Sequence, residues 1–193
     1  IELDPCHRPT AWYNPVADLP ERLPPALNPA TRRPLERKDL AVLLPEALIE
    51  QEFSRTRWIE IPAAVQSAST RWRPSPLVRA RNLERALKTS ARIYFKDESV
   101  SPSGSHKLNT AIPQVHYNRE EGVRRLTTET GAGQWGRSVA MTCAAFGLDC
   151  AVFMVRLSYE QRPRARAMIE RWGAELSPSP SPDTAAGRRV LAG

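Results

Sequence analysis

A chain of 193 residues suits one ordinary domain, or part of a larger one, and is long enough to bury a sizeable core. Its net charge of +7 comes almost wholly from arginines scattered among Glu and Asp, which favours solubility and small anionic ligands; no zinc-finger, RNA-binding or helix-turn-helix pattern accompanies it, so no nucleic-acid partner is expected. The longest apolar stretches, 139–146 and 150–155, fall well short of the ~20 residues a bilayer span needs, and no secretory or transit segment is visible, so the expectation is a cytoplasmic protein without membrane association.

Residues 1–70 read as a Pro-rich arm with short helices. Pro5, Pro9, Pro15, Pro20, Pro24, Pro25, Pro29, Pro34 and Pro45 keep regular structure brief there. Trp12 and Tyr13 need a surface to cover them, so the arm is expected to wrap over the rest rather than hang free. Short helices are expected at 46–54 and 60–69.

Residues 71–193 read as an α/β region. Leu77, Ala80, Leu83, Ala86 and Leu87 recur at three- and four-residue spacings and predict a helix over 77–88, followed by a short β run at 93–95. Helix 106–119, strand 123–128, helix 135–146, strand 150–155, helix 160–172 and strand 174–177 then alternate, and a last short helix follows a Ser-Pro turn segment at 177–182. Gly147 and Gly173 stand where helices end in the left-handed conformation. Pro113 falls inside the helix at 106–119, where it removes the hydrogen bond to the Asn109 carbonyl and predicts a kink. This alternation implies a parallel sheet with helices on both faces, and ligands on such sheets sit at the carboxyl ends of the strands.

Two signatures fall at those ends: Ser103-Gly104-Ser105-His106-Lys107 and Glu129-Thr130-Gly131-Ala132-Gly133-Gln134-Trp135-Gly136. Only four lysines stand against twenty-four arginines, and Lys107 is the one in a Gly/Ser/His context that opens a helix. A lysine at a helix start feels the positive end of the dipole, which lowers its proton affinity and makes it a candidate nucleophile toward an aldehyde cofactor. The same lysine also suits a surface loop that merely caps a helix, and His106 alone is more often a packing residue than a catalyst. In the second signature the glycines let backbone N–H groups approach an anion at a helix start. The bare pattern also satisfies the dinucleotide-binding fingerprint, but strand 150–155 ends in Arg156 rather than an acid, and that reading has no use for Lys107 or for Glu129, a candidate proton carrier.

Cys6, Cys143 and Cys150 form an odd set without metal-ligand spacing, so reduced thiols are expected, with no disulfide framework and no metal.

The two signatures and their spacing resemble the tryptophan synthase beta chain family, a group of pyridoxal-phosphate enzymes of fold type II, and within it the divergent second class. Trp12-Tyr13-Asn14, Asp18-Leu19-Pro20, 47–52, Arg73-Pro74-Ser75-Pro76-Leu77 and 154–161 fit that class, so the likeness spans nearly the whole chain. The resemblance implies that Lys107 holds the cofactor aldehyde as a Schiff base, with His106, Gln134 and Asn109 beside the cofactor. It implies that Glu129 is the acid–base residue and that the backbone of Thr130, Gly131, Ala132, Gly133 and Gln134 holds the substrate carboxylate. It further implies a lyase of tryptophan biosynthesis that joins L-serine to indole, a homodimer when full length, and an alpha chain as partner. Trp135 replaces the histidine of the main class, Ser75 stands where threonine is usual, and Leu108 and Pro113 are unusual. The family holds the cofactor phosphate in a later Gly/Ser-rich turn that does not occur here, so the chain reads as the amino-terminal part of a longer enzyme. Other enzymes of the fold type (serine or threonine dehydratase, threonine synthase, cysteine synthase), or a fragment that does not retain cofactor, are the alternatives.

Overall fold

The computed structural model describes residues 1–21 and 23–193. In the first third, strand β1 (Ala11–Tyr13) is followed by helices α1 (Arg37–Leu40) and α2 (Glu46–Phe53), strand β2 (Trp58–Glu60) and helix α3 (Ala63–Ser69). Strands β1 and β2 pair antiparallel with Trp12 opposite Ile59 and Tyr13 opposite Trp58. Trp12 packs against a cluster of Ile61, Val65, Trp72, Leu108 and Ile112, which ties the arm to the rest as its aromatics require. Tyr13 remains 49% exposed and instead stacks at a tilt on Trp58, ring centroids 5.1 Å apart.

The helix expected over 77–88 is a strand and a shorter helix: β3 (Leu77–Arg79) and α4 (Arg81–Ala86), then β4 (Tyr94–Lys96). Pro74 and Pro76 disfavour a helix in the approach. Leu77-Val78-Arg79 then finds a partner in Tyr94-Phe95-Lys96, with Leu77 opposite Lys96 and Arg79 opposite Tyr94. The long-range pairing overrides the helical spacing of the apolar residues, which is a weaker local preference.

From residue 108 the expected alternation is present. The order is α5 (Leu108–Glu120), β5 (Arg125–Thr130), α6 (Gln134–Phe146), β6 (Asp149–Val155), α7 (Arg156–Gln161), α8 (Pro163–Arg171), β7 (Glu175–Ser179) and α9 (Ala185–Ala192). Helix α5 runs through Pro113 as one element of 13 residues. The single helix expected over 160–172 is two, because Pro163 pushes Arg162 out of the helical region (φ −123°, ψ 63°) and then starts α8 at its first position. Gly147 and Gly173 adopt φ of +74° and +79°, as helix ends of this kind demand.

Strands β5, β6 and β7 form a parallel sheet in sequential order, with Leu126 opposite Cys150 and Val152 opposite Leu176. Each crossover moves one strand in the same direction, so right-handed connections place α6 and α8 on one face. The core there joins Cys150, Val152 and Met154 of β6 to Val139, Ala140 and Cys143 of α6, Ala165 and Ile169 of α8, and Ala111 and Val115 of α5. Met154 and Ile169 are fully buried, each contributing about 1.5–3 kcal/mol relative to exposure. Arg125, Thr127 and Glu129 alternate to the opposite side of β5 and are exposed. No helix among the described residues is long and apolar enough to cross a membrane.

Candidate active site

The segment before α5 is a serine-rich turn. Ser101 donates from Oγ to the Ser105 carbonyl (2.7 Å) and accepts from the Ser105 amide (3.0 Å), while Gly104 between them takes φ of +71°. The Ser105 hydroxyl accepts from the Lys107 amide at 3.3 Å, so the backbone of Lys107 is held at the entry of α5. Lys107 already has helical dihedrals (φ −61°, ψ −24°), and its side chain extends from the positive end of the helix.

The glycine bend joins β5 to α6. Gly133 sits at φ +93° as the residue before α6, a conformation that favours glycine, and a Cβ there would meet the Ala165 Cβ at 2.9 Å. Gly136 is closer packed still: a Cβ would stand 2.8 Å from Val152 Cγ1 and 2.9 Å from Thr130 Cγ2. The Gly136 amide donates to Thr130 Oγ1 at 3.1 Å, which fastens the first turn of α6 to the end of β5. The amides of Ala132, Gly133, Gln134 and Trp135 donate to no acceptor among the described residues. They are the unpaired N–H groups of a helix start, turned toward the same end of the sheet.

The two signatures meet. Lys107 Nζ donates to Gln134 Oε1 at 3.3 Å, across 27 positions of sequence. A second link lies beneath it: the Ser103 and Ser138 hydroxyls are 3.0 Å apart, and Ser138 Oγ is 3.0 Å from the Gln134 carbonyl oxygen. Ser103 and Ser138 are almost completely buried (1% and 0% exposed), so this hydroxyl contact is a fixed part of the packing between the lysine loop and α6.

The remaining candidates are placed differently. Glu129 lies at the end of β5, exposed, with no side-chain partner among the described residues. His106 is exposed beside Lys107. The Asn109 amide is engaged elsewhere: its Oδ1 accepts from Trp72 Nε1 (3.2 Å) and its Nδ2 donates to Glu98 Oε2 (3.1 Å). The other oxygen of Glu98 accepts from the buried Ser75 hydroxyl at 2.6 Å. Ser138, Glu98 and Trp72 were not among the residues singled out from the sequence. For Ser138 a signal existed, since Gln134, Ser138 and Thr142 recur every four residues and place a polar row along α6; Glu98 carried none, because its partners come from three separate segments.

A profile of the family described as "Pyridoxal-phosphate dependent enzyme" matches residues 68–192. The chain belongs to this family. The family's fold type II architecture is the one found here, with the glycine bend at the carboxyl end of β5 and the lysine loop packed against it. The strand before that loop, β4, pairs antiparallel with β3 outside the parallel sheet, contrary to the expectation that both signatures end strands of one parallel sheet. Curated relatives include proteins named "Tryptophan synthase beta chain 2" from Aeropyrum pernix, 56% identical over 95% of this chain and 41% of that protein, and from Methanosarcina acetivorans, 51% identical over 99% and 43%. The protein of the same name from Thermotoga maritima is 51% identical over 99% of this chain and 45% of its own length. The chain thus spans less than half the length of the curated relatives it matches. A solved pyridoxal 5'-phosphate-dependent aspartate racemase shares the fold, with a TM-score of 0.52 and 21% identity over 68% of this chain and 44% of that one.

The residues present fit the family's cofactor. An aldehyde needs one amine, and Lys107 places it at the bend; an anion needs unpaired N–H donors, and four successive amides supply them. The space in front is open, since a Cβ built on Gly131 meets no atom within 4 Å.

Proposed function

We propose that the protein condenses L-serine with indole to give L-tryptophan by pyridoxal-phosphate-dependent β-replacement, this chain supplying the lysine and the carboxylate cradle. The observation that carries the reading is the juxtaposition of Lys107 Nζ and Gln134 Oε1 at 3.3 Å, which brings an amine and a row of free amides to one place. The names of the relatives support the choice of reaction within the cofactor class.

The cofactor, when bound, acts as the electron sink for charge developing at the amino-acid α-carbon. In this reading the Lys107 amine would hold the cofactor through its aldehyde, and the same amine, when free, moves the proton at the serine α-carbon. The backbone of Thr130 to Gln134 holds the serine carboxylate and so fixes which face the amine meets. The Glu129 carboxyl gives its proton to the departing β-hydroxyl oxygen and assists the addition of indole at the β-carbon. His106 and Gln134 would stand beside the cofactor, and Asn109, on another side of α5, supports the site through its bonds to Trp72 and Glu98. The reading also includes a homodimer and an alpha-chain partner for the whole protein, and a cytoplasmic setting in which the free thiols Cys6, Cys143 and Cys150 stay reduced.

The test is an assay of the full-length protein with serine, with and without indole. Tryptophan that forms only with indole is the expected product. Pyruvate from serine, with no tryptophan when indole is added, would instead assign the site to a dehydratase. Lys107→Ala is expected to lose both the visible absorbance band of the lysine-bound cofactor and the activity.

A further inference from the structure

Behind the lysine helix lies a cavity that the chemistry above does not use. Residues of the arm, α3 and α5 enclose about 300 Å³. Asn109, which borders it, lies about 200° around α5 from Lys107, so the cavity opens on another side of the helix from the glycine bend. Trp12, Ile61, Val65 and Ile112 supply apolar wall, and Arg8 and Arg73 supply charge.

The balance of that wall selects a ligand. No Asp or Glu is among the described residues that line the cavity. No ion pair among the described residues takes up Arg8 or Arg73. Arg8 Nε donates to the Pro5 carbonyl at 3.2 Å, which ties the side chain to the arm while its two terminal nitrogens have no partner among the described residues. The neutral polar groups are largely spent on backbone: Ser69 Oγ donates to the Gln66 carbonyl (2.8 Å), Thr70 Oγ1 to the Ser67 carbonyl (2.9 Å) and Gln66 Nε2 to the Ile61 carbonyl (2.7 Å). What remains is spare positive charge, the Thr10 and Ser67 hydroxyls, the Cys6 thiol and a limited apolar wall, in a concavity at the lower end of the range for small-molecule sites. At the ~30 Å³ that each water occupies in the liquid, it has room for about ten non-hydrogen atoms.

We propose that this cavity binds a small aromatic carboxylate, its ring against Trp12, Ile61, Val65 and Ile112 and its carboxylate on Arg8 and Arg73. Guanidinium groups suit a carboxylate by their paired donors, and the indole of Trp12 offers the ring a face or an edge. The inference does not depend on the lysine chemistry, which is read separately from the visible band.

The probe is phenylacetate, titrated into the full-length protein by calorimetry, with the Trp12 indole N–H followed by NMR and assigned with Trp12→Phe. Saturable one-site binding that moves the Trp12 resonance is expected. Phenylacetamide, the neutral counterpart, is expected to bind about tenfold more weakly, as are Arg8→Gln and Arg73→Gln with phenylacetate, the loss of one charge-assisted contact. Inorganic phosphate at equal concentration is expected not to displace the probe. Absence of saturable binding overturns the proposal, as does equal binding of phenylacetamide, displacement by phosphate, or binding that survives both arginine substitutions unchanged. The comparison of phenylacetate with phenylacetamide on the unaltered protein decides the matter even if a variant fails to fold.

Discussion

Gly136 owes its place to lack of a side chain rather than to its backbone angles. Its neighbours Val152, Thr130 and Ile169 are all buried, so a methyl group there has no room to relax into. Gly136→Ala is expected to cost about 1–3 kcal/mol in a denaturant titration, the usual penalty of overpacking. Ser138→Ala is a milder change: it removes the hydroxyl contact with Ser103, worth about 1 kcal/mol, and is expected to loosen the lysine loop against α6. Glu129→Gln belongs to a different class, since the exposed carboxyl bonds nothing among the described residues. In the full-length enzyme the substitution is expected to leave stability and the visible band in place while lowering kcat about 10²–10⁴-fold, the range of general acid–base catalysis.

At the scale of elements, the antiparallel pair β3–β4 is held by one carboxylate. Glu84 of α4 accepts from Arg79 Nε and Nη2 (3.0 Å each, to different oxygens) and from the Ile93 amide (2.8 Å), and is itself the buried residue of that helix. The Arg79 guanidinium, and after it the Ile93 amide, hold its carboxyl below the ordinary value. A carboxylate depressed in this way stabilises the fold above its unfolded pKa of ~4.3, and that contribution disappears as pH falls through the lower folded value. Glu84→Gln is therefore expected to lower Tm at neutral pH. The gap between the variant and the unaltered protein is expected to narrow in acid, as thermal melts from pH 7 to below pH 4 will record. A gap that stays constant over that range would remove the carboxylate as its cause.

For the whole molecule, the decisive quantity is the number of anions the site can satisfy. The cofactor carries a phosphate and the amino acid a carboxylate, whereas the bend presents a single run of free amides. The chain also spans 41–45% of the length of its curated relatives. The 193-residue chain, mixed with pyridoxal phosphate, is accordingly expected to give a weak Lys107-dependent band or none, and the full-length protein a clear one. An intense, Lys107-dependent band from the 193-residue chain would overturn this.

What was legible in the residues was mostly local. Glycine positions foretold the turns at Gly147 and Gly173, the alternation of apolar runs from residue 106 foretold α5 through β7, and the two short signatures foretold loops that open α5 and α6. Periodicity misled at 77–88, because three residues of strand are stabilised by a partner fifteen or more positions away that no local window contains. The proline at 163 was visible, yet its effect as a break between two helices was not drawn from the apolar spacing around it. Tertiary structure alone decided that Lys107 Nζ meets Gln134, that Ser103 is clasped to Ser138, and that Asn109 turns to Trp72 and Glu98. Those contacts join segments many residues apart, and their geometry depends on how α5 and α6 pack over the sheet, a property of the assembled core rather than of any stretch of chain.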